Sequence, residues 1–277
     1  MAKVMKVAVV GASGRMGRQV VTLLHPEHNG ASGAGELLLH AAITRTNSSA
    51  LGIDSGVLAD GTANQVVITD DFAALSGADV VIDFALAEGL SERLQAYQRA
   101  QCPAVLCVTG LTDAQQQQLR SAAESIAILH AANTSVGINL LAALTEKAAE
   151  VLGSTADIEI FEAHHTQKKD APSGTALLLG EAAAQGRGQN LADVAAYDRN
   201  GKNEIHAAGS IGFATIRAGD IVGEHTVYLV LGGERIELTH RVANRSTFAE
   251  GALRAASWLA NQQTAGFYTM KDALGLD

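Results

Sequence analysis

Short apolar runs alternate with amphipathic segments along the first half of the chain. Residues 4–10 form an apolar run ended by Gly11, which predicts a strand, and residues 15–24 carry helical periodicity. Residues 37–43, 66–69, 80–84, 104–108 and 126–129 predict further strands, apolar enough to be buried on both faces of a parallel sheet. Helices are predicted between the later strands, at 88–100 and 113–125. This alternation predicts a doubly wound α/β domain. Residues 25–36, rich in Gly, Asn, Ser and Ala, read as an unusually long surface loop.

A strongly helical run at 138–151 leads out of that domain, which sets a boundary near 134–138. The pattern then changes. Residues 157–161 alternate as a strand, and residues 176–181 fit a buried helix. Strands are predicted at 211–217, 220–222, 225–231 and 235–240, which suggests a second sheet containing antiparallel pairs. Residues 185–190 and 198–203 are turn-rich and predicted to be exposed. A helix at 248–260, holding Trp258, is expected to pack back on the first domain. The expected division is 1–134 with 245–277 for a dinucleotide-binding domain, and 135–244 for an α+β substrate-binding and oligomerisation domain with a mixed sheet.

The length, 277 residues, is near the size at which one core gives way to two. A net charge of −9 argues against nucleic acid and anionic membrane surfaces as partners, since both need a basic face. Cys102 and Cys107 match no zinc or redox spacing and predict reduced, mostly buried thiols. The opening residues lack the apolar region of a signal peptide, and no run is long enough to span a bilayer. A cytoplasmic protein is expected.

Candidate chemistry begins at the first turn. Glycines at 11, 14 and 17 stand between the first predicted strand and helix, as in a Rossmann-type nucleotide site. One glycine permits the tight turn, one lets a pyrophosphate approach the backbone, and one allows close helix packing. A plain tight turn is the bland alternative. The candidate cofactor loop is Gly11, Ala12, Ser13, Gly14, Arg15, Met16 and Gly17. At the end of the second strand, Thr44 and Arg45 are followed by hydroxyl and amide side chains without a carboxylate, so NADPH is favoured over NADH. Ligands in such sheets gather at the carboxyl ends of the strands. Phe84 to Leu86, the turn Cys107, Val108, Thr109 and Gly110, and the turn Ala131, Ala132, Asn133 and Thr134 are therefore expected beside the nicotinamide.

The densest group of reactive side chains runs from Glu162 to Leu177 and includes His164, His165, Lys168, Lys169, Asp170, Pro172, Ser173, Gly174 and Thr175. It reads as a strand-to-helix connection. A helix beginning at Ser173 to Thr175 would offer backbone N–H groups, hydroxyls and a positive dipole end to an anion. A lysine at about 4 Å adds roughly 4 kcal/mol at an effective dielectric near 20. Histidines exchange protons near neutral pH. Adjacent residues on a strand face opposite ways, so His164 and His165 would not share a site if the strand continued through both. No metal site is expected.

The stretch Glu162-Ala163-His164-His165, the lysine at 168 and Asp170-Ala171-Pro172-Ser173-Gly174-Thr175-Ala176 together closely resemble the signature of the dihydrodipicolinate reductase family. The resemblance takes in residues 11–18, 132–137, 211–215 and 219–225, and so nearly the whole chain. It implies NAD(P)H-dependent reduction of 4-hydroxy-tetrahydrodipicolinate, a small dicarboxylate, in lysine biosynthesis, by a homotetramer assembled through the second sheet. At matching positions it implies that His164 and Lys168 exchange protons, and that His165, Gly174 and Thr175, beside Ser173, contact the substrate carboxylate. Asp170 is read as orienting the loop, with Arg217, His225 and Arg245 as further contacts. Most members have a Gly-Thr-Thr-Gly type turn where this chain has Cys107 and Val108, an aromatic where it has Thr134, and often an acid where it has Thr44. The departures at Cys107, Val108 and Thr134 predict retained activity with altered cofactor or substrate affinity, and the acid replaced by Thr44 is the one that lets members accept both cofactors. The residues themselves leave open a reductase of another cyclic imine or amino-dicarboxylate, or a non-catalytic nucleotide sensor.

Overall fold

A computed structural model describes residues 4–25, 37–199 and 205–276, in two compact units. The first comprises residues up to Val136 together with Ser246 onward, and the second spans Gly137–Arg245. Of the expected loops at 25–36 and 198–203, residues 26–36 and 200–203 lie outside the described residues.

In chain order the first unit contains β1 (Met5–Val10), α1 (Arg15–Leu23), β2 (Leu37–Ile43), α2 (Ser55–Ala59), β3 (Ile68–Thr69), β4 (Val80–Asp83), α3 (Leu90–Ala100), β5 (Ala104–Leu106), α4 (Asp113–Ala122) and β6 (Ala127–His130). The second begins within α5 (Val136–Leu152) and continues with β7 (Asp157–His164), α6 (Gly174–Gly186), α7 (Leu191–Val194), β8 (Ala195–Ala196), β9 (Ile211–Arg217), β10 (Gly223–Val230) and β11 (Arg235–Val242). The chain then returns to the first unit with α8 (Ser246–Leu259), β12 (Gly266–Tyr268) and α9 (Met270–Leu274).

Seven parallel strands form the first sheet in the order β12-β6-β5-β4-β1-β2-β3. Alternation along β1 explains its double covering. Val7 and Val9 face a cluster with Val20 and Val21 of α1 and Ala252 and Ala256 of α8, while Ala8 and Val10 face Leu94 and Tyr97 of α3 and Leu119 of α4. The strand order reverses at β1, where the crevice for a ligand opens at the carboxyl ends. Helix α8, which holds Trp258, packs on α1, within the first unit as expected.

Three strand expectations fail locally. Residues 66 and 67 do not extend β3, because the Asp54 carboxylate collects the N–H groups of Gly56, Val57, Asn64 and Gln65 and draws the chain into a loop. Residues 220–222 are no strand. Ala218 N–H bonds the carbonyl of His164 and Thr166 N–H that of Gly219, turning the chain over the end of β7 before β10 begins. In the opposite sense, β7 runs three residues further than the alternation at 157–161 indicated, so Glu162, Ala163 and His164 are strand residues.

The second sheet is mixed, in the order β11-β10-β7-β9-β8, with β7 parallel to β9 and antiparallel to β10. One face is covered: Ile158, Ile160, Ile211, Phe213, Val227 and Leu229 pack with residues of α5 and α6.

Candidate active site

In the first unit the turn after β1 is a cradle only glycine can form. Gly11 has φ +78°, and a Cβ there would come within 2.9 Å of the backbone of Phe84 and Ala85. A Cβ on Gly17 would lie 2.2 Å from the Gly11 carbonyl oxygen. The N–H groups of Gly11 and Ala12 bond the carbonyl of Ile43, anchoring the turn to β2. Gly14 is the N-cap of α1 and supplies no side-chain cap, which leaves the first turn, with Arg15 and Met16, for an anion. Bare helix start and close backbone approach together fit a dinucleotide pyrophosphate.

Thr44 is buried, with its hydroxyl 2.7 Å from that of Ser13, and Arg45 beside it is exposed. Arg18 Nε donates to the Ser13 carbonyl at 2.9 Å. The loop and the end of β2 thus form one polar edge.

Further along the sheet the expected turns meet. A cavity of about 270 Å³ is lined by Met16, Phe84, Cys107, Thr109, Ala131, Ala132, Asn133 and Thr134, from the ends of β4, β5 and β6 and the start of α1. Phe248 of α8 closes it, a wall that no motif in the sequence announces. The Thr134 hydroxyl donates to the Phe248 carbonyl at 2.6 Å, so it braces that wall and is spent within the protein. Val108 does not line the cavity. Its side chain, 2% exposed, belongs to the apolar cluster with Leu106 and Leu119, so the missing hydroxyl there is a matter of packing. Burial pushes the Cys107 thiol well above its ordinary value, which keeps it protonated, and both cysteines are free.

In the second unit, strand periodicity builds the polar site. Along β7 the covered face reads Ile158, Ile160, Glu162, His164, and along the parallel β9 it reads Ile211, Phe213, Thr215, Arg217. Glu162 pairs in register with Thr215, and His164 with Arg217. On β10, His225 pairs with Glu162. All three strands therefore change from apolar to polar at the same end of the sheet.

Glu162, 1% exposed, is the hub. Its Oε2 lies 2.5 Å from His164 Nδ1 and accepts from Arg217 Nη1 at 2.9 Å. Its Oε1 accepts from Arg217 Nη2 at 2.8 Å, Ser173 N at 3.1 Å and Thr215 Oγ1 at 3.2 Å. Burial acts to raise this carboxyl, but bonds to His164 and Arg217 outweigh it and bring it down to about 2. Composition alone gives Glu162 no role. Its place in the row 158, 160, 162, 164 is the available signal, which an alternation ending at 161 does not reach.

Ser173 is the N-cap of α6, its hydroxyl accepting from Ala176 N and lying 3.1 Å from His225 Nε2. With its N–H on Glu162, Ser173 is turned inward, at a position where the sequence predicts groups offered to a substrate. Gly174 opens α6 where a Cβ would meet nothing within 4 Å. Its N–H bonds Asp170, whose carboxylate also holds Lys168 Nζ at 2.9 Å. The Gly174 N–H, expected at a substrate carboxylate, and the Lys168 ammonium, expected to exchange a proton, are thus both held by the chain's own acid. Thr175 sits half-buried in the first turn of α6. His165 lies past the end of β7, so the alternation argument does not reach it, and its Nε2 is 3.3 Å from Arg245 Nη2. His225 Nδ1 is buried without a hydrogen-bond partner, and burial, with the His164 ring acting the same way, pushes this histidine down to about 3.

Glu162, His164 and His225 offer donor atoms within 4.8 Å of one another, a spacing that would suit a metal ion. Both oxygens of Glu162 are already filled by Arg217, His164, Ser173 and Thr215, so this donor set is saturated from within the protein. A larger cavity, about 620 Å³, lies beside Tyr197 and His206 and includes none of these residues.

Two family models cover nearly the whole chain: the N-terminal part of dihydrodipicolinate reductase at residues 5–134 and its C-terminal part at 137–274. The 4-hydroxy-tetrahydrodipicolinate reductase of Halorhodospira halophila is 45% identical over 98% of both chains. That of Pseudoalteromonas atlantica is 46% identical over 98% of this chain and 99% of its own. The dipicolinate-bound dihydrodipicolinate reductase of Paenisporosarcina sp. TG-14 shares the fold, with a TM-score of 0.68 at 22% identity, over 96% of this chain and 98% of its own. With both parts matched in order and such identity along the full length, the chain belongs to the dihydrodipicolinate reductase family.

Proposed function

We propose that the chain reduces 4-hydroxy-tetrahydrodipicolinate, after loss of water, to tetrahydrodipicolinate, with His164 and Lys168 as its proton-transferring groups and NADPH preferred over NADH. Membership of the family makes it an oxidoreductase of diaminopimelate and lysine biosynthesis that uses a nicotinamide cofactor. The observation that carries the assignment of roles is the polar end of the second sheet. There His164 is held by a buried, ionised carboxylate, and Lys168 follows on the loop into α6.

When bound, the nicotinamide supplies the hydride. His164 or Lys168 gives the accompanying proton, and the substrate loses one double bond. Lys168, His165, Gly174 and Thr175 hold a carboxylate of the small dicarboxylate substrate. Asp170 now occupies two of those donors and is largely exposed, so an incoming carboxylate can displace it into water at little desolvation cost. In the first unit Gly11 to Gly17 cradle the pyrophosphate, and Arg45, with no acid from 44 to 49, faces the ribose phosphate of NADPH.

The second unit is also the assembly domain in this reading, which gives a homotetramer working in the cytoplasm. The sheet face opposite the helices supports it: Phe161, Ile216, Tyr228 and Val230 are partly or well exposed there. No helix among the described residues is long and apolar enough to cross a membrane.

Steady-state oxidation of NADPH and of NADH, with the substrate formed in the cuvette from pyruvate and aspartate semialdehyde, tests the proposal. Substrate-dependent oxidation with a lower KM for NADPH is expected. Binding of both cofactors without oxidation overturns it.

A further inference from the structure

We infer that Glu162 is a positioning residue that fixes the tautomer of His164, and that Gly223 keeps the reactive nitrogen of that ring clear. The inference rests on His164 being a proton-transferring group, as proposed above.

An ionised carboxylate only accepts, with about four lone-pair directions on its two oxygens. Every group around Glu162 whose hydrogen is certain donates to it: the Arg217 guanidinium, the Ser173 N–H and the Thr215 hydroxyl. His164 Nδ1 at 2.5 Å must then carry a hydrogen as well, since two acceptors at that distance would repel. Neutral His164 is therefore the Nδ1–H form, with its lone pair on Nε2, and in the protonated ring the transferable proton sits on Nε2.

The backbone shows where that nitrogen points. A Cβ added to Gly223 would stand 3.2 Å from His164 Nε2, tighter than an ordinary contact, and 3.5 Å from its Cδ2. Gly223 has no positive φ to require glycine, so the missing side chain is explained by the ring it faces. Glu162 thus acts on the inner nitrogen and Gly223 on the outer one, and neither transfers a proton.

Glu162→Gln is the discriminating variant. Its amide oxygen is best used at the Oε1 position, where three donors converge, which turns its NH₂ toward His164 Nδ1 and favours the Nε2–H form. The measurements are kcat, the KM values, and nitrogen-15 NMR of histidine-labelled enzyme with His164 assigned by its loss in His164→Gln. Wild type should show the Nδ1–H pattern. Glu162→Gln should show the Nε2–H pattern, with kcat down at least a hundredfold and both KM values within about threefold, by analogy with the loss of an orienting carboxylate in other histidine-dependent enzymes. Gly223→Ala should lower kcat while keeping the Nδ1–H form. An Nε2–H pattern in wild type overturns the inference even if Glu162→Gln does not fold, as does a Glu162→Gln enzyme as active as an active wild type. A wild type without turnover overturns the reading of the reaction instead, and leaves the tautomer measurement to decide the role of Glu162.

Discussion

The hydroxyls of Ser13 and Thr44 lie 2.7 Å apart, joining the glycine loop to the end of β2 across 31 positions of sequence. That bond keeps the polar edge together, with exposed Arg45 beside Thr44. Arg45→Ala is expected to raise the KM for NADPH roughly 10- to 100-fold, the loss of one charge-assisted hydrogen bond, with little change for NADH. Equal effects on both cofactors would remove Arg45 from phosphate recognition.

Gly17 tolerates no side chain. Alanine there would place its Cβ 2.2 Å from the Gly11 carbonyl oxygen and 2.8 Å from Ala12 Cα, both backbone atoms that cannot swing aside. Gly17→Ala should weaken binding of either cofactor at least tenfold and cost about 1–3 kcal/mol of stability, as overpacking does. Calorimetric titration and urea unfolding measure the two effects.

Behind the cavity at the ends of β4 to β6, Asp83 is fully buried and accepts from Arg93 Nε and Tyr97 OH, each at 2.8 Å. Arg93 in turn donates to the carbonyls of Leu86 and Glu88, bracing the turn that begins with Phe84. Asp83→Ala would leave the guanidinium buried without its carboxylate, a loss of about 3–5 kcal/mol. Tyr97→Phe should cost much less, since the ion pair survives. Urea midpoints of the two variants check the order.

Acid should destabilise the fold in two stages. His225 is held at about 3, against an ordinary 6.5, so the unfolded chain binds a proton there well before the folded one. Its contribution is complete above pH 6.5 and is lost as pH falls toward 3, by up to about 1.4 kcal/mol per pH unit. Glu162, held at about 2 against 4.5, adds a loss of the same sign below 4.5. His225→Gln should flatten the upper part of this dependence in urea unfolding followed from about pH 7 to about pH 4. An unchanged slope would show that His225 titrates normally in the folded protein.

Much of this was readable from the chain. Glycines 11, 14 and 17 identify the turn because backbone crowding there is local, and the apolar runs identify a sheet buried on both faces. The stretch 162–175 is conspicuous by composition. What stayed hidden depends on tertiary placement. Phe248 reaches the cavity from α8, across the whole second unit in sequence. The inward turn of Ser173 depends on Glu162, 11 residues earlier. Thr134 and Val108 look alike as departures in the loops after β6 and β5, yet one braces a wall and the other fills a core, a difference set by which way each side chain leaves its loop.

The most direct test compares wild type with His164→Ala and Lys168→Ala, measuring NADPH affinity and substrate-dependent NADPH oxidation on the same preparations. A positioned general acid contributes about 10²- to 10⁴-fold in rate. Both variants should therefore bind NADPH as wild type does and lose turnover by about that factor. Turnover within a few-fold of wild type in both would contradict the account, because the proton would then come from elsewhere.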